Sequence, residues 1–188
     1  MTFFNDGSGL DILVIFEGFD RTGKTSLAQY IARELGFRYK HNMPSYNCKL
    51  YKDLIKQIQI LKSNTVIDRF HLTELVCGKI VCNHVRLSDS HIKMIEDCLK
   101  QHNVVFVHCY ADTEDVKMRY KKELNKYVPI ELINSCLNEY SNLFNELNER
   151  GFKVYESNSS LPMDLQLQNV QKLIKDLKMM LTEEEGIR

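Results

Sequence analysis

The chain has 188 residues, 44% of them hydrophobic, which suits one domain with its own core. Its 25 basic and 25 acidic residues cancel, so net charge makes no case for general nucleic-acid binding, and only a local basic patch stays open. No stretch approaches the ~20 apolar residues of a membrane span, and the opening MTFFNDGSG lacks the basic and apolar regions of a secretory leader.

Residues 1–9 are expected to be a flexible N-terminus, 10–182 a single domain and 183–188 a charged tail. Residues 11–16, DILVIF, predict a buried strand. Residues 24–35 switch to helical spacing, with Leu27, Ile31 and Leu35 on one stripe, and Gly36 ends that helix. A short strand over 37–40 precedes a Met43-Pro44-Ser45 turn and a helix over 46–62. Residues 64–68, NTVID, predict a second buried strand ending in a carboxylate, and 71–82 a helix. Ser88 caps a helix running to 100. Residues 103–109 form a strand, 113–126 a basic helix, and Pro129 opens a long helix. A strand over 152–156 and an amphipathic helix over 163–181 complete the series. Strands alternating with helices give an α/β class, a three-layer α/β/α sandwich around a mostly parallel sheet of about five strands.

Six cysteines (Cys48, Cys77, Cys82, Cys98, Cys109 and Cys136) form no C-x-x-C pair. Cys77, Cys82 and His84 lack an evident fourth ligand, so the reading is reduced thiols and a reducing cytoplasm.

The stretch IFEGFDRTGKT, residues 15–25, carries the chemistry. Gly18, Gly23, Lys24 and Thr25 meet G-x-x-x-x-G-K-[ST] between a buried strand and an amphipathic helix. Such a loop turns backbone N–H groups inward as an anion nest, and the following helix adds its N-terminal dipole. Lys24 then reaches the outer phosphates of a triphosphate, Thr25 binds Mg²⁺, and Ser26 completes the loop's contacts. Asp68 ends the second strand, where a carboxylate holds the Mg²⁺ directly or through water. No N-K-x-D guanine-reading motif occurs, which sets aside a GTPase.

FEGFDRTGKT resembles the phosphate loop of thymidylate kinases, and Asp68-Arg69-Phe70 resembles their D-R-Y motif. The wider group is the thymidylate-kinase-like P-loop nucleoside and nucleotide kinases, and the resemblance spans about residues 11–150. It implies a P-loop NTPase fold with ATP and Mg²⁺ as cofactors. It places Asp20 at the acceptor sugar's 3′-hydroxyl, Arg21 on the migrating phosphoryl group and Arg69 on the acceptor's own phosphate. It also implies a basic lid over about 113–128, in which Arg119, Lys122 and Lys126 share one helix face and Arg119 stands near a family arginine. Tyr140 matches a recurring family tyrosine, and family members form dimers, which extends to this chain as a possible homodimer.

The acceptor half departs from the family pattern. Where thymidylate kinases have R-E-P, this chain has Asn42-Met43-Pro44, and only residues 45–67 separate that point from Asp68, too few for the thymine-reading segment. After D-R-Y, Thr73 matches the family serine, while Cys77 and Gly78 replace a Tyr-Gln pair. Phe70, His71, Glu74, Tyr46 and Tyr51 are the candidates for a rebuilt acceptor pocket. The expected activity is transfer of the γ-phosphoryl of ATP to a deoxynucleoside monophosphate, a small-molecule acceptor. Two alternatives stay open: a deoxynucleoside kinase or a kinase of a hydroxyl on a modified DNA base, with Glu17, Asp20, Asp68 or Glu74 as base, and a nucleotide-binding switch with little turnover. Nucleic acid is a partner only under the modified-base alternative.

Overall fold

The computed structural model describes residues 11–42, 50–61, 63–122 and 128–186. The expected flexible N-terminus, the Met43-Pro44-Ser45 turn, Tyr46, Cys48 and Lys126 lie outside them.

Strand β1 (Ile12–Glu17) is buried along its whole length, which explains its unbroken apolar run. It pairs in parallel with β3 (Thr65–Asp68) on one side and β4 (Asn103–Tyr110) on the other. β2 (Arg38–His41) lies beyond β3, and β5 (Lys153–Asn158) beyond β4. The five strands run in the order β2-β3-β1-β4-β5, all parallel.

Side chains alternate across this sheet, so β1 feeds two cores. Ile12, Val14 and Phe16 pack with Ala28 and Ile31 of α1 (Lys24–Leu35) and with Leu173 and Leu177 of α7 (Met163–Gly186). Leu13 and Ile15 face the larger core. That core is built from α2 (Leu50–Gln59), α3 (His71–Val76), α4 (Asp89–Leu99), α5 (Thr113–Lys121) and α6 (Ile133–Glu149). Helices therefore cover both faces, and the expected α/β/α class is the observed one. Among the described residues no helix is long and apolar enough to cross a membrane.

Strand bounds shift by a residue or two from the sequence expectation, and the helices differ further. The helix expected over 71–82 stops being α-helical at Val76 and continues as a π-turn, Cys77–Val81, with Cys82 N–H donating to the Cys77 carbonyl at 2.9 Å. Gly78 permits it: a Cβ there would lie 2.9 Å from the His84 carbonyl oxygen. The basic helix ends at Lys121 rather than 126. Pro129 opens a 3₁₀ turn, Ile130–Leu132, before α6 begins. The last helix continues past 181 to Gly186. Ser88 does cap α4, through a capping box with His91.

Candidate phosphate-binding and acceptor site

A parallel sheet brings the C-terminal ends of β1, β3 and β4 to one edge. The loop 18–23 leaves β1 at that edge. Gly18 has φ +146°, and a Cβ on it would sit 2.0 Å from the Cys109 carbonyl oxygen of β4, so only glycine lets the chain pass. Thr22 closes the turn by donating its hydroxyl to the Phe19 carbonyl at 2.8 Å. Arg21 takes φ 67°, and α1 begins directly after Gly23. Thr25 and Ser26 are exposed at the mouth of this loop, as is Arg21.

Lys24 is buried and directs its ammonium toward Asp68, with Nζ 3.6 Å from Oδ1. Asp68 is inaccessible to solvent. Its Oδ2 accepts from the Tyr39 hydroxyl at 2.9 Å and faces His41 Nδ1 at 2.8 Å. Burial alone would raise its pKa, but the Lys24 charge, Thr25 and the His41 and Tyr39 contacts hold it below the ordinary carboxylate value. Its Oδ1 makes no hydrogen bond. A buried, ionised oxygen that meets only the Lys24 ammonium, at 3.6 Å, in a carboxylate that Thr25 also contacts, fits a hard divalent cation. Among the described residues no group of three or more His, Cys, Asp or Glu is arranged to hold an ion alone. Such an ion would therefore need oxygens from a bound phosphate as well, as Mg²⁺ in nucleotide sites does.

Arg69 follows Asp68 with φ 71°. Its backbone is pinned: its N–H donates to the Phe16 carbonyl at 2.9 Å, and its own carbonyl accepts from Asn42 Nδ2 at 2.8 Å. Its guanidinium pairs with Asp20 of the phosphate loop. Burial opposes its charge, but Asp20 and neighbouring acidic groups outweigh that and raise its pKa.

Glu17, weighed as a base, is a structural clamp. Its Oε1 accepts from the backbone N–H of Phe70 at 2.8 Å, Leu72 at 2.9 Å and Thr73 at 3.2 Å, and its Oε2 from the Thr73 hydroxyl. Tyr140, buried in α6, donates its hydroxyl to Thr73 Oγ1 at 3.1 Å. Burial raises the Glu17 pKa against these donors.

Arg119 reaches the loop from α5. It donates to the Arg21 carbonyl at 3.1 Å, the Ser159 hydroxyl at 2.7 Å and the Ser159 carbonyl at 3.0 Å. Lys122 is exposed at the end of α5.

The acceptor candidates divide. Phe70 and Glu74 line a cavity of about 290 Å³ beside Arg69, where Glu74 pairs with Arg86. His71 is not there. It is fully buried in the core, edge-on to Phe70 and Phe106, with both ring nitrogens unbonded and its pKa lowered by burial to about 3. Tyr51 stacks on His91 of α4, centroids 3.9 Å apart, and so packs α2 against α4. Tyr39, His41, Ser159 and Gln57 were not anticipated. The first two stand on β2, whose pairing puts His41 beside Asp68, and neither strand order nor register is written in the local sequence.

A phosphate loop between β1 and α1, with a carboxylate ending the neighbouring strand, is the architecture of the P-loop kinases. The chain is 29% identical over 134 residues to the SPbeta prophage-derived uncharacterized protein YorR of Bacillus subtilis (strain 168), covering 68% of this chain and 79% of that one. It is 26% identical over 133 residues to a thymidylate kinase of Onion yellows phytoplasma (strain OY-M), covering 70% of this chain and 61% of the kinase. The structure of Bacillus subtilis YorR in complex with phosphorylated GDP superposes with a TM-score of 0.72 at 23% identity, covering 93% of this chain and 98% of that one. A deoxyadenosine kinase from M. mycoides with bound dATP gives 0.59 at 16% identity, covering 88% and 99%. No protein-family model matches the chain. These likenesses establish the fold.

Proposed function

We propose that this protein is an ATP- and Mg²⁺-dependent phosphotransferase whose acceptor is a deoxynucleoside monophosphate. The observation that carries the reading is the contact of Arg69 with Asp20, which sets an arginine fork beside the phosphate loop. The loop 18–23 and the start of α1 would hold the triphosphate, with Gly18, Gly23, Lys24, Thr25 and Ser26 around it. Thr25 and Asp68 Oδ1 would hold Mg²⁺, which when bound draws charge from the phosphate oxygens. Lys24 and Arg21 would neutralise the γ-phosphoryl group in flight. Arg69 would leave Asp20 for the acceptor's phosphate, gripping it with two parallel N–H bonds. Asp20, so released, would turn to the sugar's 3′-hydroxyl. Arg119, fixed between Ser159 and the loop, would border the donor nucleotide, with Lys122 nearby on the lid.

A monophosphate acceptor is already ionised at neutral pH and needs no strong base. The site agrees with that economy. Glu17 is held by four donors, Asp68 by Tyr39 and His41, and Glu74 by Arg86. The relatives point the same way in chemistry: one is named a thymidylate kinase, and YorR is described with a phosphorylated guanine nucleotide.

A nucleoside acceptor is the second reading, favoured by the likeness to a deoxyadenosine kinase. Asp20 would then be the base. Labelled ATP incubated with the four dNMPs, their nucleosides and hydroxymethylated DNA separates the readings. We expect labelled dNDP. Label on nucleosides alone moves the assignment to the second reading, and label on none removes both.

A further inference from the structure

The outermost strand beside β3 turns its polar side chains inward. In the parallel register of β2, Tyr39 lies opposite Val66 and His41 opposite Asp68. Side chains two positions apart share a face of the sheet, so both reach the Asp68 carboxylate, and both take the same oxygen, Oδ2. The Tyr39 hydroxyl also accepts from the side chain of Gln29 in α1, which leaves its own proton for Asp68. Burial first, and then the Asp68 contact, push its pKa up to about 12, so it stays a donor. The Asn42 N–H adds a bond to the Asp68 carbonyl at 2.9 Å.

Lys24 faces the other oxygen. Its Nζ stops 3.6 Å from Oδ1, with the lysine side chain 4% exposed and the aspartate 0%. A charge-assisted hydrogen bond between such groups closes to about 2.7–2.9 Å. Where water is excluded, an ammonium and a carboxylate attract strongly, and a carboxylate free to turn about its Cβ–Cγ bond would close on the lysine. Two donors on Oδ2 oppose that turn. They fix the carboxylate plane and draw part of its charge to the side away from Lys24.

We infer that Tyr39 and His41 are positioning residues that hold Asp68 off Lys24, which keeps the ammonium for a phosphate and Oδ1 for the cation. This rests on the donor half of the proposed function. Without the two donors, lysine and carboxylate would neutralise each other, and a nucleotide would have to break that pair before it could bind.

The test measures ATP affinity by calorimetry in EDTA, where no cation takes part, and then with Mn²⁺, whose bound fraction is read by electron paramagnetic resonance. The Tyr39→Phe, His41→Ala double variant should bind ATP in EDTA about tenfold more weakly than wild type, and hold Mn²⁺ with ATP about tenfold more weakly as well. Adding Asp68→Asn should abolish the difference in EDTA, because an amide does not capture an ammonium; the triple variant should match Asp68→Asn alone. His41→Asn, which sets an amide nitrogen near the place of Nδ1, should keep the affinity that His41→Ala loses. Should the double variant not fold, Tyr39→Phe and His41→Ala carry the same comparison singly, each with and without Asp68→Asn. Wild-type affinity in the variants, a loss in EDTA that persists beside Asp68→Asn, or equal losses in His41→Asn and His41→Ala would make the two residues a brace for β2 and overturn the inference. Wild-type protein that binds ATP yet labels no dNMP removes the acceptor reading and leaves this inference standing. Wild-type protein that binds no ATP in either condition removes the donor reading and the inference with it.

Discussion

Replacing Arg69 by alanine tests the acceptor half of the site. The guanidinium is 22% exposed and faces an Asp20 that is 33% exposed. Two charge-assisted hydrogen bonds to a phosphate contribute about 1.5–3 kcal/mol each. Binding gives up the Asp20 pair, and a partly exposed pair of this kind is worth about 1 kcal/mol or less after solvent screening. The difference is about 2–5 kcal/mol, which converts to a ~30- to ~4,000-fold loss of monophosphate affinity. A nucleoside, with nothing to place on the guanidinium, should bind Arg69→Ala within about threefold of wild type. Titration calorimetry of a dNMP and its nucleoside against both proteins gives the comparison. The backbone supplies a control. Arg69 sits at φ 71°, so Arg69→Gly loses the same fork but relieves a left-handed backbone. It should match alanine in ligand binding and melt higher. Equal losses on nucleotide and nucleoside would refute the phosphate clamp.

Lys24→Ala should reduce turnover by about 100-fold or more while the protein stays folded, and turnover within twofold of wild type would take Lys24 out of the reaction. His71 makes stability depend on pH. Its native pKa is lowered to about 3 from an ordinary 6.5, with burial as the main cause and the Arg150 charge adding to it. The unfolded chain therefore takes up a proton below pH 6.5 that the native protein refuses until about 3. The stabilising contribution is complete above pH 6.5 and is lost as pH falls through that window. Between pH 6 and 4 the wild type should lose about 2–3 kcal/mol more than His71→Leu, at ~1.4 kcal/mol per unit. Urea unfolding at intervals of pH measures it, and parallel curves would show that the ring is already charged in the native core.

What could be read in advance was whatever local pattern determines. Helix 24–35 was legible to the residue, because Gly23 and Gly36 bracket an apolar stripe of helical period. The position of Asp68 was legible because an apolar strand ending in a carboxylate is expected beside the strand that feeds the glycine-rich loop, and β3 does pair with β1. His71 was misplaced because its neighbours in sequence are the candidate acceptor residues, while its burial depends on Phe106 of β4, far along the chain. The π-turn depends on the backbone at 84 reaching Gly78. Gln57 looked like one polar residue in the run KQIQI, and only its place against the sheet shows it to be buried and unpaired.

The clamp at Glu17 bears on why the donor half matches the family pattern and the acceptor half does not. Phosphoryl transfer depends on placing two phosphates in line, and a displacement of about 1 Å can cost ~100-fold in rate. Here both sides refer to the end of one strand. Phe16 accepts the Arg69 amide, Glu17 accepts the amides of Phe70, Leu72 and Thr73, and the next residue, Gly18, starts the phosphate loop. Backbone amides do most of the holding, so the turn that carries Arg69 keeps its position whatever side chains α2 presents to the cavity. Substitution at Glu17 would release the turn, and with it, under the proposed function, the alignment of donor and acceptor.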